Sequence, residues 1–328
     1  MTRMWRLCRS LCLALGVSLL LLLALLSSPA PELELPASQG RPGLTHLTQK
    51  VFLDYNRLRD EHLPHFQLCP RWFELMVAYK ACLVKETRGL SDGDDQLWKS
   101  LHKIVDLCGS HLIRSLLYAR YLLNRDDMKV VLLPASGGEG GDVSVVTVGI
   151  GNDTGAERQL RQWLPKASFY GADPILEDGA VYRQLGPYHQ IAINHKPGIF
   201  NASVLHGRNY SWESVEAITL HSFISQRLGL SLVDALFLDV EGAEYRILPQ
   251  LIQGGGSAEG ICQLNVEVHG PVANYNVTYT TFNRIIKRLI ANSTYIPLWV
   301  PRPLFHHRLF LVDWKSPACL RKYYKHWC

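Results

Sequence analysis

The chain has 328 residues, 47% of them hydrophobic and 19% charged, enough to bury one large α/β core or two smaller ones. Its formal net charge of +5 is mild, and the Lys and Arg residues are dispersed with no basic stripe carrying stacking aromatics, which excludes a nucleic-acid partner.

At the N-terminus, Arg3, Arg6 and Arg9 precede an apolar run from about Leu11 to Leu26, and Ser27, Ser28, Pro29, Ala30 and Pro31 follow it. A basic segment, an apolar segment and then small residues is the pattern of a secretory signal. The run is intermediate between a signal-peptide core and a span of roughly 20 residues. Residues 1–30 therefore read either as a signal peptide cleaved near Ala30 or as a retained signal-anchor helix. Positive charge ahead of the run places the N-terminus in the cytoplasm and the body in the lumen. The expected location is the Golgi or endoplasmic reticulum membrane, as a single-pass type II chain, or secretion if the signal is cleaved.

Two features agree with a lumenal body. Asn201, Asn209, Asn276 and Asn292 each begin a glycosylation sequon. Beyond the leader, Cys69, Cys82, Cys108, Cys262, Cys319 and Cys328 form an even set suited to disulfides in an oxidising compartment, with their connectivity open. They contain no tight CxxC pair, which argues against zinc.

Residues 31–43 are rich in Pro, Gly and Ser and read as a stem or linker. From 44 to about 128, apolar residues recur at three- and four-residue spacings, as in Trp72, Phe73, Leu75, Met76 and Tyr79. This predicts a helical cap of about four helices, with no evident chemistry.

From about 140 to 328 short β-branched runs alternate with helical stretches. Strands are expected at Val143–Val148, Ala167–Ala172, Gln190–Asn194, Val233–Leu238 and Cys262–Val268. Helices are expected near Ala156–Leu164, His221–Leu228, Ala243–Leu251 and Phe282–Ala291. Such alternation predicts a Rossmann-like α/β fold, a parallel sheet with helices on both faces. Two late strands, Tyr295–Val300 and His307–Val312, are close enough to form an antiparallel hairpin at the sheet edge.

Ligands of open parallel sheets bind beyond the carboxyl ends of the strands, so the residues just after each strand carry the argument. The first strand is followed by Gly149-Ile150-Gly151-Asn152. Glycines there permit a tight turn and close approach of a ligand, and the next helix presents its N-terminal N–H groups. No third glycine completes a dinucleotide fingerprint, which argues against NAD. The second strand is followed by Asp173-Pro174, about 20 residues further on, where an acid can bind ribose hydroxyls. The fourth is followed by Asp239, Glu241 and Glu244, and the fifth ends in Glu267 and His269. Residues two apart on a strand face the same way, so two neighbouring strands aim Asp239, Glu241, Glu267 and His269 at one cleft. A concentration of titratable groups there marks an active site. Glu244 reads as a helix cap or a structural ion pair.

Val148–Thr154, Phe169–Pro174, Leu238–Tyr245 and Cys262–His269, extended by Ile296–Trp299 and His306-His307, resemble the FkbM-type methyltransferases, and among them the animal secretory branch. The resemblance implies a class I methyltransferase fold that binds S-adenosyl-L-methionine and transfers its methyl group, usually to a hydroxyl oxygen. It implies that Gly149, Ile150, Gly151 and Asn152 border the methionine half of the cofactor. It further implies that Asp173 and Pro174 meet the ribose and that Asp239 lies near the methyl group. His269 is then the expected base, with Asp239 or Glu267 behind it. The acceptor expected is a small molecule, glycan or lipid. A divalent ion held by Asp239, Glu267 and His269 would suit the donor set, though no spacing requires one. Two alternatives stand beside this reading. One is a Golgi glycosyltransferase using Asp239-Val-Glu241 with Mn²⁺ and a sugar nucleotide, and the other is an inactive binding protein on the same fold.

Overall fold

The computed structural model describes residues 69–125, 127–135, 142–206, 209–253, 260–270, 277–303, 305–325 and 328, with only the backbone of 202–206, 209 and 210. The described chain opens with α1 (Pro70–Arg88), α2 (Gln96–Leu107) and α3 (Ser110–Leu116). Pro70 suits the first turn of α1, where its missing N–H costs nothing. Trp72, Phe73, Met76, Tyr79 and Leu83 recur on one face of α1 and are buried.

The helical pattern does not continue to 128. Ala119–Leu123 (β1) and Met128–Leu132 (β2) form an antiparallel hairpin instead. Its docking is unusual. The Asn265 side chain accepts from Val130 N and donates to Val130 O, both at 2.8 Å. Gln263 does the same for Leu132, at 2.6 and 3.1 Å. Two side-chain amides thus stand in for a neighbouring strand and satisfy buried backbone groups.

The main sheet has seven strands: β3 (Ser144–Val148), β4 (Ser168–Ala172), β5 (Tyr188–His189), β10 (Ala235–Leu238), β12 (Gln263–Val268), β13 (Tyr295–Trp299) and β14 (His307–Asp313). Their order is β13-β14-β12-β10-β3-β4-β5. The strands β12, β10, β3, β4 and β5 run parallel. The expected late hairpin is present, with antiparallel β14 inserted between β12 and β13. Chain order reverses between β3 and β10, the switch point where such sheets bind ligands.

Alternation along the strands splits the core. Val146, Val148, Leu236 and Leu238 pack with α1, α2, α6 (Glu244–Ile252) and α7 (Tyr279–Asn292). On the other face Val145, Ala235 and Phe237 pack with α4 (Gly155–Trp163) and with Leu122 and Val131 of the β1–β2 hairpin. Helices on both faces are therefore only part of the cover, because a hairpin fills much of the second face.

Between β5 and β10 lies a second, three-stranded sheet, which takes the strand expected at Gln190–Asn194 out of the main sheet. In it β6 (Ala192–Asn194) pairs parallel with β8 (Asn209–Thr219), which pairs antiparallel with β7 (Gly198–His206). The expected helix at His221–Leu228 is a single wide π-type turn, Ser222–Arg227. Between the main-sheet strands run a short helix α5 (Leu176–Gly179) and the two-residue pair β9 (Leu232–Val233) and β11 (Gly260–Ile261), and α8 (Pro317–Tyr323) closes the chain.

The expected signal-anchor helix falls on residues that lie outside the described ones. No helix among the described residues is long and apolar enough to cross a membrane. The longest, α1, carries exposed Arg71, Glu74, Lys85 and Arg88. Membrane attachment through the N-terminus and a type II topology thus find no support, and the Leu11–Leu26 run lies outside the described residues. The six cysteines do pair, as Cys69–Cys328, Cys82–Cys108 and Cys262–Cys319, which agrees with an oxidising, secretory-type environment.

Candidate active site

The glycine turn after β3 has the conformation its residues permit. Gly149, Gly151 and Asn152 have φ of 80°, 58° and 55°, the left-handed region that glycine and asparagine tolerate best. Gly149 also faces the end of β10 so closely that a Cβ there would stand 1.7 Å from the carbonyl oxygen of Asp239. Only glycine lets the two strand ends meet.

Asp173 holds this turn in place. Its Oδ2 accepts from the N–H groups of Ile150 (2.8 Å) and Gly151 (3.2 Å), and its Oδ1 accepts from Ile175 N (2.9 Å). Burial raises its pKa, against these hydrogen bonds. The N-terminus of α4 is less open than expected. Asp153 Oδ1 accepts from Gly155 N, and Asn124 Oδ1, from the hairpin, accepts from Ala156 N.

The turn borders a cleft of about 700 Å³, within the range of small-molecule sites. Of the residues singled out in the sequence, Gly149, Ile150, Gly151, Asp173, Pro174, Asp239, Glu241, Glu267, His269 and His306 line it. Asn152 is exposed and does not line it. His307 is fully buried elsewhere, bonded through Nε2 to Trp98 O and stacked on Phe282.

Several lining residues were not foreseen. Asp127 and Lys129 arrive on the β1–β2 hairpin, and Arg308 on β14. Arg308 grips Glu267 through Nε and Nη2, both at 3.2 Å, and its Nε lies 2.8 Å from Asp127 Oδ1. Lys129 pairs with Asp127. Phe200 and Trp212 of the second sheet form the opposite wall.

His269 is the hub of the reacting end. Its Nε2 lies 3.2 Å from Glu241 Oε2 and 3.7 Å from Asp239 Oδ1, and its Nδ1 lies 3.1 Å from Glu244 Oε1. Glu244, read from the sequence as a helix cap or a structural ion pair, pairs with the His269 ring and also accepts from Gly242 N. Burial disfavours charge on His269, but hydrogen bonds to Glu241 and Glu244 outweigh it and push its pKa up to about 11. Neighbouring His306 is pushed down to about 4, by burial and then by the charge on His269. Asp239 is raised to about 8, first by burial at the cleft floor and then by Glu267. Its side chain is 40% exposed towards the cleft, while Oδ1 is enclosed and has no hydrogen-bond partner among the described residues. Glu267 is also raised, by burial acting against Arg308.

Two groups of side chains are close enough to share a cation, Asp239–Glu241–His269 and Glu267–His269–His306. Both depend on His269, whose two ring nitrogens already face carboxylates. His306 Nδ1 accepts from Gly270 N at 3.1 Å, which leaves its ring proton on Nε2.

A largely parallel sheet with its switch point at a glycine turn, an acid on the next strand and acids at the two strand ends beyond is consistent with a class I methyltransferase domain. The methyltransferase FkbM domain matches residues 115–296, more than half of the chain, and the chain belongs to that family. The match begins inside the region read as a helical cap, at the approach to the β1–β2 hairpin. No curated protein matches. Among solved structures, fibrillarin of Aeropyrum pernix with natively bound S-adenosyl-L-methionine is similar at 15% identity and a TM-score of 0.29, over 54% of this chain and 68% of that one. Nothing is drawn from so distant a likeness.

The chain is thus an S-adenosyl-L-methionine-dependent methyltransferase, which replaces the glycosyltransferase and inactive-protein alternatives. The site fits that cofactor. The backbone at Gly151 faces open space that a side chain would fill, and Asp239 and Glu241 suit a ligand bearing a sulfonium and an ammonium.

Proposed function

We propose that the enzyme methylates a hydroxyl oxygen and that Asp239 is the base. The observation that carries this reading is the Asp239 carboxyl. It lies against the glycine turn and opens onto the cleft, one of its oxygens has no hydrogen-bond partner among the described residues, and burial raises its pKa. S-adenosyl-L-methionine supplies an electrophilic methyl group, so the protein must orient the acceptor and take its proton. A hydroxyl loses that proton as it is methylated. A carboxylate with a pKa of about 8 accepts it far better than an ordinary aspartate would.

The other groups support this centre. Gly149, Ile150 and Gly151 present backbone to the methionine half of the cofactor. Asp173 uses three of the roughly four acceptor positions of a carboxylate on backbone amides. It therefore offers one ribose contact, from Oδ1, next to Pro174. Glu267, gripped by Arg308, holds negative charge beside Asp239 and keeps its basicity high.

The test is S-adenosylhomocysteine release with small phenols, glycosides and primary amines as acceptors. Asp239→Asn is expected to bind S-adenosyl-L-methionine within about threefold of wild type and to lose roughly 10²- to 10⁴-fold in turnover. Unchanged turnover in that variant, or methylation of amines alone, contradicts the proposal.

A further inference from the structure

Glu157 is a fully buried acid at the edge of the cleft that neither the fold nor the proton transfer uses. It stands in the first turn of α4, and the spacing Thr154-Gly-Ala-Glu157 is that of a capping box. The end of α4 is capped by other groups, however, with Gly155 N bonded to Asp153 and Ala156 N to Asn124. The Glu157 side chain turns to β3 instead, where its Oε1 accepts from the Thr147 hydroxyl at 2.7 Å. Tyr182 donates its own hydroxyl to Thr147 Oγ1 at 3.0 Å, so the Thr147 proton is committed to Glu157. Oε2 of Glu157 is enclosed and has no hydrogen-bond partner among the described residues.

A buried carboxyl oxygen with nothing to accept from is destabilising. The cations of this wall do not relieve it. Lys129 pairs with Asp127, and Arg308 is held by Asp127 and Glu267, which leaves Glu157 over. Burial accordingly raises its pKa, with Lys129 acting in the opposite sense. A ligand can complete the site by bringing a cation that donates hydrogen bonds. S-adenosyl-L-methionine carries two cations. Its sulfonium has no proton to donate, whereas its ammonium has three. Thr147, which aims Glu157, lies two residues ahead of Gly149, at the turn that borders the methionine half. Glu241, the other acid open to an ammonium, already faces His269 Nε2 at 3.2 Å.

We propose that Glu157, positioned by the Tyr182–Thr147 hydroxyl chain, receives the ammonium group of S-adenosyl-L-methionine on its unpartnered Oε2 and so fixes the amino-acid end of the cofactor. The same contact makes Glu157 a selectivity residue. A nucleoside without the amino group leaves Oε2 buried and unpaired, and a site built to pair a polar group rejects a ligand that lacks it. The assignment does not rest on Asp239 being the base, because the ammonium is not the reacting end of the cofactor.

Calorimetric titration of the protein with S-adenosylhomocysteine, and with its deamino analogue in which hydrogen replaces the amino group, tests this without turnover. The wild type is expected to bind S-adenosylhomocysteine roughly 10- to 100-fold more tightly than the deamino analogue, the worth of a buried hydrogen bond to a charged group. Equal affinities in the wild type overturn the proposal. Glu157→Gln keeps an acceptor for Thr147 and is expected to lose that preference, binding the deamino analogue within about threefold of wild type. A preference that survives in Glu157→Gln, or an equal loss of both ligands, overturns the proposal, the second result marking a structural role. A preference that disappears in Glu241→Gln and persists in Glu157→Gln assigns the ammonium to Glu241 and does the same. Should Glu157→Gln fail to fold, Thr147→Val carries the comparison. Without the hydroxyl that aims Glu157, the preference is expected to fall by about threefold or more, and an unchanged preference is the contrary result. S-adenosylhomocysteine has no methyl group to transfer, so these outcomes stand whether or not Asp239 is the base.

Discussion

Replacing Gly149 by alanine tests the closest approach in the site. The new Cβ would lie 1.7 Å from the Asp239 carbonyl oxygen and 2.8 Å from its carbon, both backbone atoms that no rotamer change can move. Alanine at φ of 80° costs about 1–2 kcal/mol on its own. Relieving the clash requires the end of β10 to move away from β3, at the expense of the 2.9 Å bond from Asp239 N to Val148 O, worth about 1 kcal/mol or more when buried. The sum is about 2–3 kcal/mol, or a fall in Tm of roughly 4–12 °C for a domain of this size. Gly151→Ala is the control. Its φ is also positive, at 58°, but a Cβ there meets nothing within 4 Å, so only about 1 kcal/mol is at stake. Thermal unfolding and calorimetric titration with S-adenosyl-L-methionine should show Gly149→Ala strongly destabilised and unable to bind, and Gly151→Ala only mildly destabilised. Equal, small effects of the two substitutions would refute the reasoning, because strand-end contact would then not matter.

Asn265→Ala strips both amide bonds from Val130 and leaves a buried N–H and C=O unpaired. It should cost about 2–4 kcal/mol in urea unfolding, and a loss under about 1 kcal/mol would show that the hairpin docks by other means. The pH–rate profile of kcat/KM for the acceptor should rise with pH and level off above about 8, as Asp239 loses its proton. A profile flat from pH 6 to 9 counts against an Asp239 base. The same raised pKa means the folded state binds this proton more tightly than the unfolded one. Its contribution to stability is therefore complete below about pH 4 and lost as pH rises through about 8. Removing the Cys262–Cys319 bridge, which spans 57 residues, as a double serine variant should lower stability by about 4 kcal/mol. An unchanged denaturation midpoint would indicate that the bridge adds nothing.

The catalytic half of the molecule was largely legible because its signals are local. Val145 to Val148 and Ala235 to Leu238 are compact buried runs, and ligand-facing residues follow directly after them. Gly149, Asp173, Asp239 and Glu267 could therefore be placed without coordinates. The β1–β2 hairpin was not legible, since Tyr121, Leu122 and their neighbours fit a helical spacing. What holds β2 as a strand is a pair of amides more than 130 residues away in sequence, Gln263 and Asn265. Asp127 and Lys129 reach the cleft only through that docking. The surroundings of His269 were legible only in part, because the sequence allowed Glu244 either a cap or an ion pair and did not show that it would meet the His269 ring. The membrane anchor was read from the order of basic, apolar and small residues at the N-terminus, outside the described residues, and the described fold contains no helix that could serve as one.

The central claim is that the cleft at the β3–β10 switch point delivers a methyl group to an acceptor beside Asp239. A crystal structure of the complex with S-adenosyl-L-methionine tests it most directly. The account predicts the methionine half against Gly149–Gly151, the ribose at Asp173 and the sulfonium methyl turned towards Asp239. A cofactor bound elsewhere, or one whose methyl group points away from Asp239, would contradict it.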